Sequence, residues 1–318
     1  MLHRLASTAL CLLASLALAA CGGSSAPSAQ AQPAPRERPL LVCTTPIVAD
    51  VVRNVAGQHA EVEALIAAGV DPHLWTPTRT DILRILEADA VFLNGLTLEG
   101  RIGDSIARVE NQKRPVLRVA QSVDRNRLLV DAQRASYFDP HIWMDPLLWA
   151  ESAQPVADLL STMMPSYKAD FDANAAQYRA RAAEIDAECE QILNVIPRNL
   201  RELVSAHDAF HYFGRRFGLE VRAIQGLSTE SEASIADIEN LVAIISARKV
   251  PVAFIETTVS DRTVRALVEG CASIGHELTV GPPLYSDSLG PVGTPEATWE
   301  GMLLHNSRVI AQSLGGRR

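Results

Sequence analysis

No proline or glycine interrupts the thirty-one residues from Ser166 to Ile196, which Pro165 and Pro197 bound. Within them Tyr167, Phe171, Tyr178, Ala182, Ile185, Cys189, Ile192 and Ile196 recur mostly three, four or seven positions apart, the period of one helix face. A helix of that length spans roughly 46 Å at 1.5 Å per residue, more than the breadth of a small domain. A chain with such a rod at its middle must build its compact parts on either side of it. The same stripe could serve a coiled-coil dimer, but it is rich in Ala and poor in Leu, so a monomer with an internal linking helix is the simpler expectation.

Both flanks alternate strand-like and helical runs. Before the rod, 40–45, 62–66, 90–94 and 116–119 read as strands, with helices over 47–55, 80–88 and 98–109 and another beginning near Leu147. After it, 203–207, 221–224, 252–256 and 278–280 read as strands, with helices over 209–217, 234–247, 261–274 and 296–314. Ser234-x-x-Asp237 is a capping box for one of these. This spacing predicts an α/β protein: two parallel-sheet lobes, 40–164 and 197–318, joined by one long rigid helix over 165–196.

The N-terminus carries a different message. His3 and Arg4 precede an apolar run, Ala9 to Ala20, too short for the ~20 residues of a spanning helix. It ends in Leu18-Ala19-Ala20-Cys21-Gly22-Gly23, which resembles a bacterial lipobox. The expectation is a signal peptide over 1–20, a lipidated Cys21, and a flexible Gly/Ser/Ala/Pro-rich tether over 21–39 that has too little apolar surface to fold. A cleaved signal with a chance cysteine is the alternative. The chain would then work outside the cytoplasm. Cys43, Cys189 and Cys271 are odd in number and far apart, which implies no disulfide framework, although Cys189 and Cys271 are free to pair. A net charge of −8 argues against nucleic acid and favours cations.

Three histidines and an aspartate stand beside turn signals far apart in the chain. They are His73 in Asp71-Pro72-His73, His141 in Asp139-Pro140-His141, His207 in Ser205-Ala206-His207-Asp208, and Asp287 in Tyr285-Ser286-Asp287-Ser288. Imidazoles with one carboxylate are a donor set for a first-row divalent ion. In open parallel sheets ligands sit beyond the carboxyl ends of strands, and all four residues are placed to project there, two from each lobe, into the cleft between the lobes. Each has a plainer explanation as a turn or a hydrogen-bonded strand end. His3, His59, His276 and His305 lie in the leader, in polar stretches or in the last helix. His211 follows His207 by four, but would point away down its helix. Asp145 and Glu256 are candidates for outer carboxylates that orient ligands or for structural carboxylates.

At these residues the chain resembles the metal-binding solute-receptor lipoproteins of bacterial ABC transporters, the manganese/zinc class with a helical backbone. The resemblance runs through Asp71-Pro72-His73-x-Trp75-x-Pro77-Thr78, Asn94-Gly95-Leu96-x-Leu98-Glu99 and Asp139-Pro140-His141-x-Trp143-x-Asp145-Pro146. It continues through Ser205-Ala206-His207-Asp208-Ala209-Phe210, Gln225-Gly226-x-Ser228-Thr229-Glu230 and Leu284-Tyr285-Ser286-Asp287-Ser288-Leu289-Gly290, covering nearly everything from Leu40 to Leu314. It implies that His73, His141, His207 and Asp287 coordinate Zn²⁺ or Mn²⁺ as cargo, delivered to a membrane permease and its ATPase from a lipid-anchored, extracytoplasmic receptor. Family members carry His or Glu at the third position; here it is His207. Zinc-dedicated members often insert a His- and Asp-rich segment in the first lobe, whereas 119–139 contains no histidine. Two other functions share the donor set or the family: a zinc metallohydrolase, which would keep an open coordination position and a general base, and a surface adhesin. No His-Glu-x-x-His occurs. A receptor, not an enzyme, is the expectation. Its affinity should fall as pH drops through the ordinary histidine range near 6.5, and its stiff helix should keep lobe movements small.

Overall fold

The computed structural model describes residues 37–100, 102–131 and 134–315; the expected leader, most of the tether and Cys21 lie outside them. The first alternation condenses into one parallel sheet. Strands β1 (Leu40–Cys43), β2 (Glu61–Ala64), β3 (Ala90–Leu93) and β4 (Val116–Arg118) pair in the order β2-β1-β3-β4. The two central strands read Leu-Leu-Val-Cys and Ala-Val-Phe-Leu and are buried throughout. Their side chains alternate between two layers, as a period of two demands. Leu41, Cys43, Ala90 and Phe92 face the core that holds helix α1 (Pro46–Ala56). Leu40, Val42, Val91 and Leu93 face a smaller core that holds α2 (Arg79–Glu87) and α3 (Gly103–Asn111).

Local chemistry sets where these helices begin. Thr45 accepts from the Val48 N–H and Pro46 occupies the first turn of α1. Thr78 and Asp81 form a reciprocal capping box on α2, a cap worth about 1 kcal/mol. The helix expected over 98–109 starts only at Gly103. Gly95, Leu96 and Thr97 form a left-handed turn with φ of 82°, 52° and 67°, and the buried Glu99 carboxylate closes it by accepting from Asn94 N, Gly95 N and the Thr44 hydroxyl.

Helices α4 (Pro146–Trp149) and α5 (Ala153–Met163) lead into α6 (Lys168–Leu193), the expected rod. It has 26 residues, about 39 Å. Pro165 starts a separate 3₁₀ turn that leaves Tyr167 outside the helix and exposed. At the other end Arg201 donates to the Leu193, Ile196 and Phe217 carbonyls, which ends the helix and ties it to the second half of the chain. The buried face is Phe171, Ala175, Tyr178, Ala182, Ile185, Cys189 and Leu193. That stripe is covered by α1, α5 and the last helix, so the rod is a packed spine rather than a free spacer.

The second alternation gives β5 (Glu202–Ser205), α7 (His211–Phe217), β6 (Glu220–Ala223), α8 (Ile235–Arg248), β7 (Val252–Glu256), α9 (Arg262–Ser273), β8 (Thr279–Leu284) and α10 (Trp299–Leu314). It forms two parallel pairs, β5-β6 and β7-β8, with β5 and β7 side by side. Ser234 and Asp237 form the expected capping box on α8. Pro282-Pro283, a pair that would usually mark a turn, is part of β8. Proline is tolerated in an edge strand because its missing N–H can face away from the partner, and the register shifts between Phe254 and Glu256 beside it. Cys43, Cys189 and Cys271 are free, buried thiols.

Candidate metal centre

Four distant side chains meet at one point. His73 lies on the loop between β2 and α2, His141 before α4, His207 just past β5 and Asp287 just past β8. One donor atom from each lies within 4.8 Å of all the others, and all four residues are buried. Nε2 of His73 is 3.4 Å from Nε2 of His141. The Asp287 carboxylate sits among the rings, with Oδ1 3.3 Å from His141 Nε2 and Oδ2 3.1 Å from His207 Nε2 and 3.5 Å from His73 Nε2. The ring centroids form a nearly equilateral triangle of 5.4, 5.5 and 5.9 Å.

Donors at 2.0–2.1 Å from a tetrahedral ion lie about 3.3 Å from one another, so these separations suit one small cation. The hydrogen bonding agrees. His207 Nε2 and both Asp287 oxygens are fully buried yet make no well-directed hydrogen bond among the described residues. Burying such atoms unpaired is costly unless something else satisfies them.

Around this cluster, the other ring nitrogens of His141 and His207 are held. Burial alone would depress the His141 pKa, but the carboxylates of Asp139 and Asp287 overcome it and raise it to about 9. His207 is likewise buried, yet Glu256 and Asp287 lift it well above its ordinary value. Asp287, despite burial, is held well below the carboxylate range by His207 and His141. For His141 and His207 the proton affinity therefore lies above the ordinary histidine range, because carboxylates close to these two rings favour the protonated form.

The carboxylates responsible are specific. Asp139 Oδ1 takes the His141 ring Nδ1 at 2.7 Å and its backbone N–H at 2.9 Å. Glu256 takes the His207 ring Nδ1 at 2.5 Å and its backbone N–H at 2.8 Å. Such partners fix the ring orientation and leave Nε2 facing the other donors. Glu256 thus holds one of the two outer positions considered for it and Asp145. Asp145 takes the structural role instead: it caps α4 by accepting from Leu147 N and Leu148 N and pairs with Arg215. Asp139 was legible only as a turn residue, because its contact to the ring depends on side-chain geometry that the tripeptide does not reveal.

Trp143 Nε1 donates to the Ser286 carbonyl at 2.8 Å, steadying the Asp287 loop, and Trp299 Nε1 donates to the Trp143 carbonyl at 2.9 Å. Asn94 Nδ2 donates to the Pro140 carbonyl at 3.0 Å, which explains what the Asn94 to Glu99 motif does for His141. His211 pairs with Asp208 at 2.9 Å, apart from the cluster. His59 pairs with Asp170, and His305 with Glu296.

Two α/β halves on a helical spine, closing three imidazoles and a carboxylate between them, define a metal-binding solute receptor. The family model "ZnuA: Zinc-uptake complex component A periplasmic" matches residues 41–313. The chain belongs to this family, whose members serve as receptors for metal uptake by ABC transporters rather than as enzymes. It is 36% identical over 303 residues to the manganese-binding lipoprotein MntA of Bacillus subtilis, covering 95% of this chain and 97% of that one. It is 26% identical over 309 residues to the manganese ABC transporter substrate-binding lipoprotein PsaA of Streptococcus mitis, covering 95% and 96%. Among solved structures, the periplasmic zinc-binding protein TroA of Treponema pallidum superposes with a TM-score of 0.84 at 36% identity, covering 87% of this chain and 99% of that chain. The comparisons support neither a hydrolase nor an adhesin. No helix of the described residues is long and apolar enough to cross a membrane.

Proposed function

We propose that His73, His141, His207 and Asp287 hold one divalent first-row ion, captured outside the cytoplasm and handed to the permease of an ABC transporter. The observation that carries this reading is the convergence of four buried donors whose carboxylate has no well-directed hydrogen bond. Residues 40–164 and 197–318 act as the two arms, and 165–196 as the spine between them. Both Asp287 oxygens face the rings, so binding through both gives three nitrogens and two oxygens. Raw affinity at so nitrogen-rich a site favours zinc over manganese; the second oxygen moves the coordination number toward what manganese accepts. The relatives' names divide the same way, manganese for MntA and zinc for TroA.

The ion enters as cargo, and the protein's own part is to bind, exclude water and give up protons. Asp139 and Glu256 keep the His141 and His207 rings oriented as those protons leave. Lipidation at Cys21 would tether the receptor, as a monomer, to the membrane beside its transporter. The test is metal content after equilibrium dialysis against Zn²⁺ and Mn²⁺, alone and in competition. The parent should hold one ion per chain. Unchanged stoichiometry in both His73→Ala and His207→Ala would refute the ligand assignment. Cys21→Ala should shed the protein from membranes; continued membrane association would refute the anchor.

A further inference from the structure

The three histidines are not held alike. His141 and His207 each have a carboxylate on Nδ1. His73 has none within ion-pairing reach of Nδ1 among the described residues, and it alone of the four keeps a trace of exposure, 4% against at most 1% for the others. A donor whose ring is not braced from behind depends on its loop for position.

That loop is held from the opposite half of the molecule. Asp71 Oδ1 accepts the His73 backbone N–H at 2.8 Å, while Oδ2 accepts the Thr229 hydroxyl at 2.6 Å across 158 residues of sequence. Two residues earlier, Gly69 N–H donates to the Ser288 hydroxyl at 2.9 Å, next to Asp287. Gly69 sits at φ +80°, a left-handed turn that glycine adopts without strain. A cavity of about 430 Å³ opens to solvent at the same place, with Asp71, Leu74, Thr229 and Thr258 in its wall. The least braced donor therefore sits on the loop that borders the opening, and two hydroxyls from the far half, those of Thr229 and Ser288, hold that loop, Thr229 the one in the cavity wall.

We infer that the Asp71–Thr229 hydrogen bond is a latch on the His73 loop, setting how long the captured ion stays, with His73 the first donor to let go. This rests on His73 being a ligand. The two oxygens of Asp71 divide the work: Oδ1 shapes the turn that presents His73, and Oδ2 fastens that turn to the other half. Breaking the second bond leaves the first intact. His141, His207 and Asp287 keep their own supports while the loop swings, so the ion loses one donor before it loses the rest. Hydrogen bonds to a carboxylate are stronger than those between neutral groups, which suits a latch that must hold against thermal opening.

The experiment is release of Mn²⁺ and, separately, Zn²⁺ from loaded protein mixed rapidly with excess chelator, for the parent, Thr229→Val and Thr229→Ser. Valine matches threonine in shape and lacks the hydroxyl; serine restores it. Thr229→Val should release the ion about tenfold faster, the scale of one hydrogen bond to a charged acceptor. Association rates should agree within about twofold, and Thr229→Ser should return close to the parent. Metal-free valine and serine variants should melt together, which separates a latch from general loosening. Release from Thr229→Val at the parent rate would overturn the inference, as would a change confined to association. Parent protein holding no ion would overturn the ligand assignment itself, an outcome visible in stoichiometry before any rate is read.

Discussion

Two copies of Asp-Pro-His, at 71–73 and 139–141, begin alike and end differently. In both, the aspartate accepts the backbone N–H of the histidine two residues on, at 2.8 and 2.9 Å. In the second copy the same oxygen also takes the ring Nδ1, so the imidazole is braced within its own loop. In the first, the spare oxygen reaches Thr229 in the other half. One tripeptide builds a rigid mount in one place and a loop fastened from outside in the other. The turn chemistry is local, but what the free side of the carboxylate meets is decided by the fold.

The harshest way to break this comparison is to remove the group that both loops face. Asp287→Ala strips the carboxylate from among three imidazoles, and metal affinity should fall by about 10²–10³-fold, the scale of breaking a buried charged pair. Calorimetric titration within tenfold of the parent would show that neither loop depends on it. A sharper division comes from the braces. Asp139→Asn and Glu256→Gln should each weaken affinity by about 10–100-fold, because the rings lose the acceptors that orient them. Asp71→Ala should weaken it less than about tenfold while raising the release rate. Equal losses at Asp71 and Asp139 would erase the distinction between the two copies.

The smallest effect is on pH. His141 titrates near 9 in the folded protein, against about 6.5 when unfolded, so its folded form binds the proton more tightly. Its contribution to stability is complete below about pH 6.5 and is lost as pH rises through about 9. Asp287, held low, contributes above the carboxylate range and so stays in force throughout that window. Metal-free protein should therefore melt a few degrees lower at pH 9 than at pH 6.5, while ion affinity rises over the same interval. A flat melting curve in chelator would contradict the pairing of His141 with Asp139. Proton release on binding, measured by calorimetry in buffers of different ionisation heat, checks the same claim independently.

The parts of this molecule that sequence makes legible are those with a local cause. The Ser234–Asp237 box, the strand alternation and the apolar stripe of the central helix all arise from neighbours within a few positions. The four donors are legible because each stands beside a turn signal, three of them after a strand-like run and His141 before a helix. Thr229 is not, because a hydroxyl in Ser-Thr-Glu carries no sign of a partner far back in the chain. Asp145 could be an outer or a structural carboxylate from its sequence alone, and the helix start at Pro146 decides it as a cap. The Pro282-Pro283 pair looks like a turn, and only the strand's place at an edge allows it to stay extended.

The central helix, sandwiched along its length by α1, α5 and α10, has a consequence for how occupancy is communicated. A beam braced on several sides resists bending, so a filled receptor and an empty one should present nearly the same silhouette. Gross shape would then be a poor signal for the transporter, and the distinction between the two would fall to small local differences at the rim, such as the fastening of the loop proposed above as a latch.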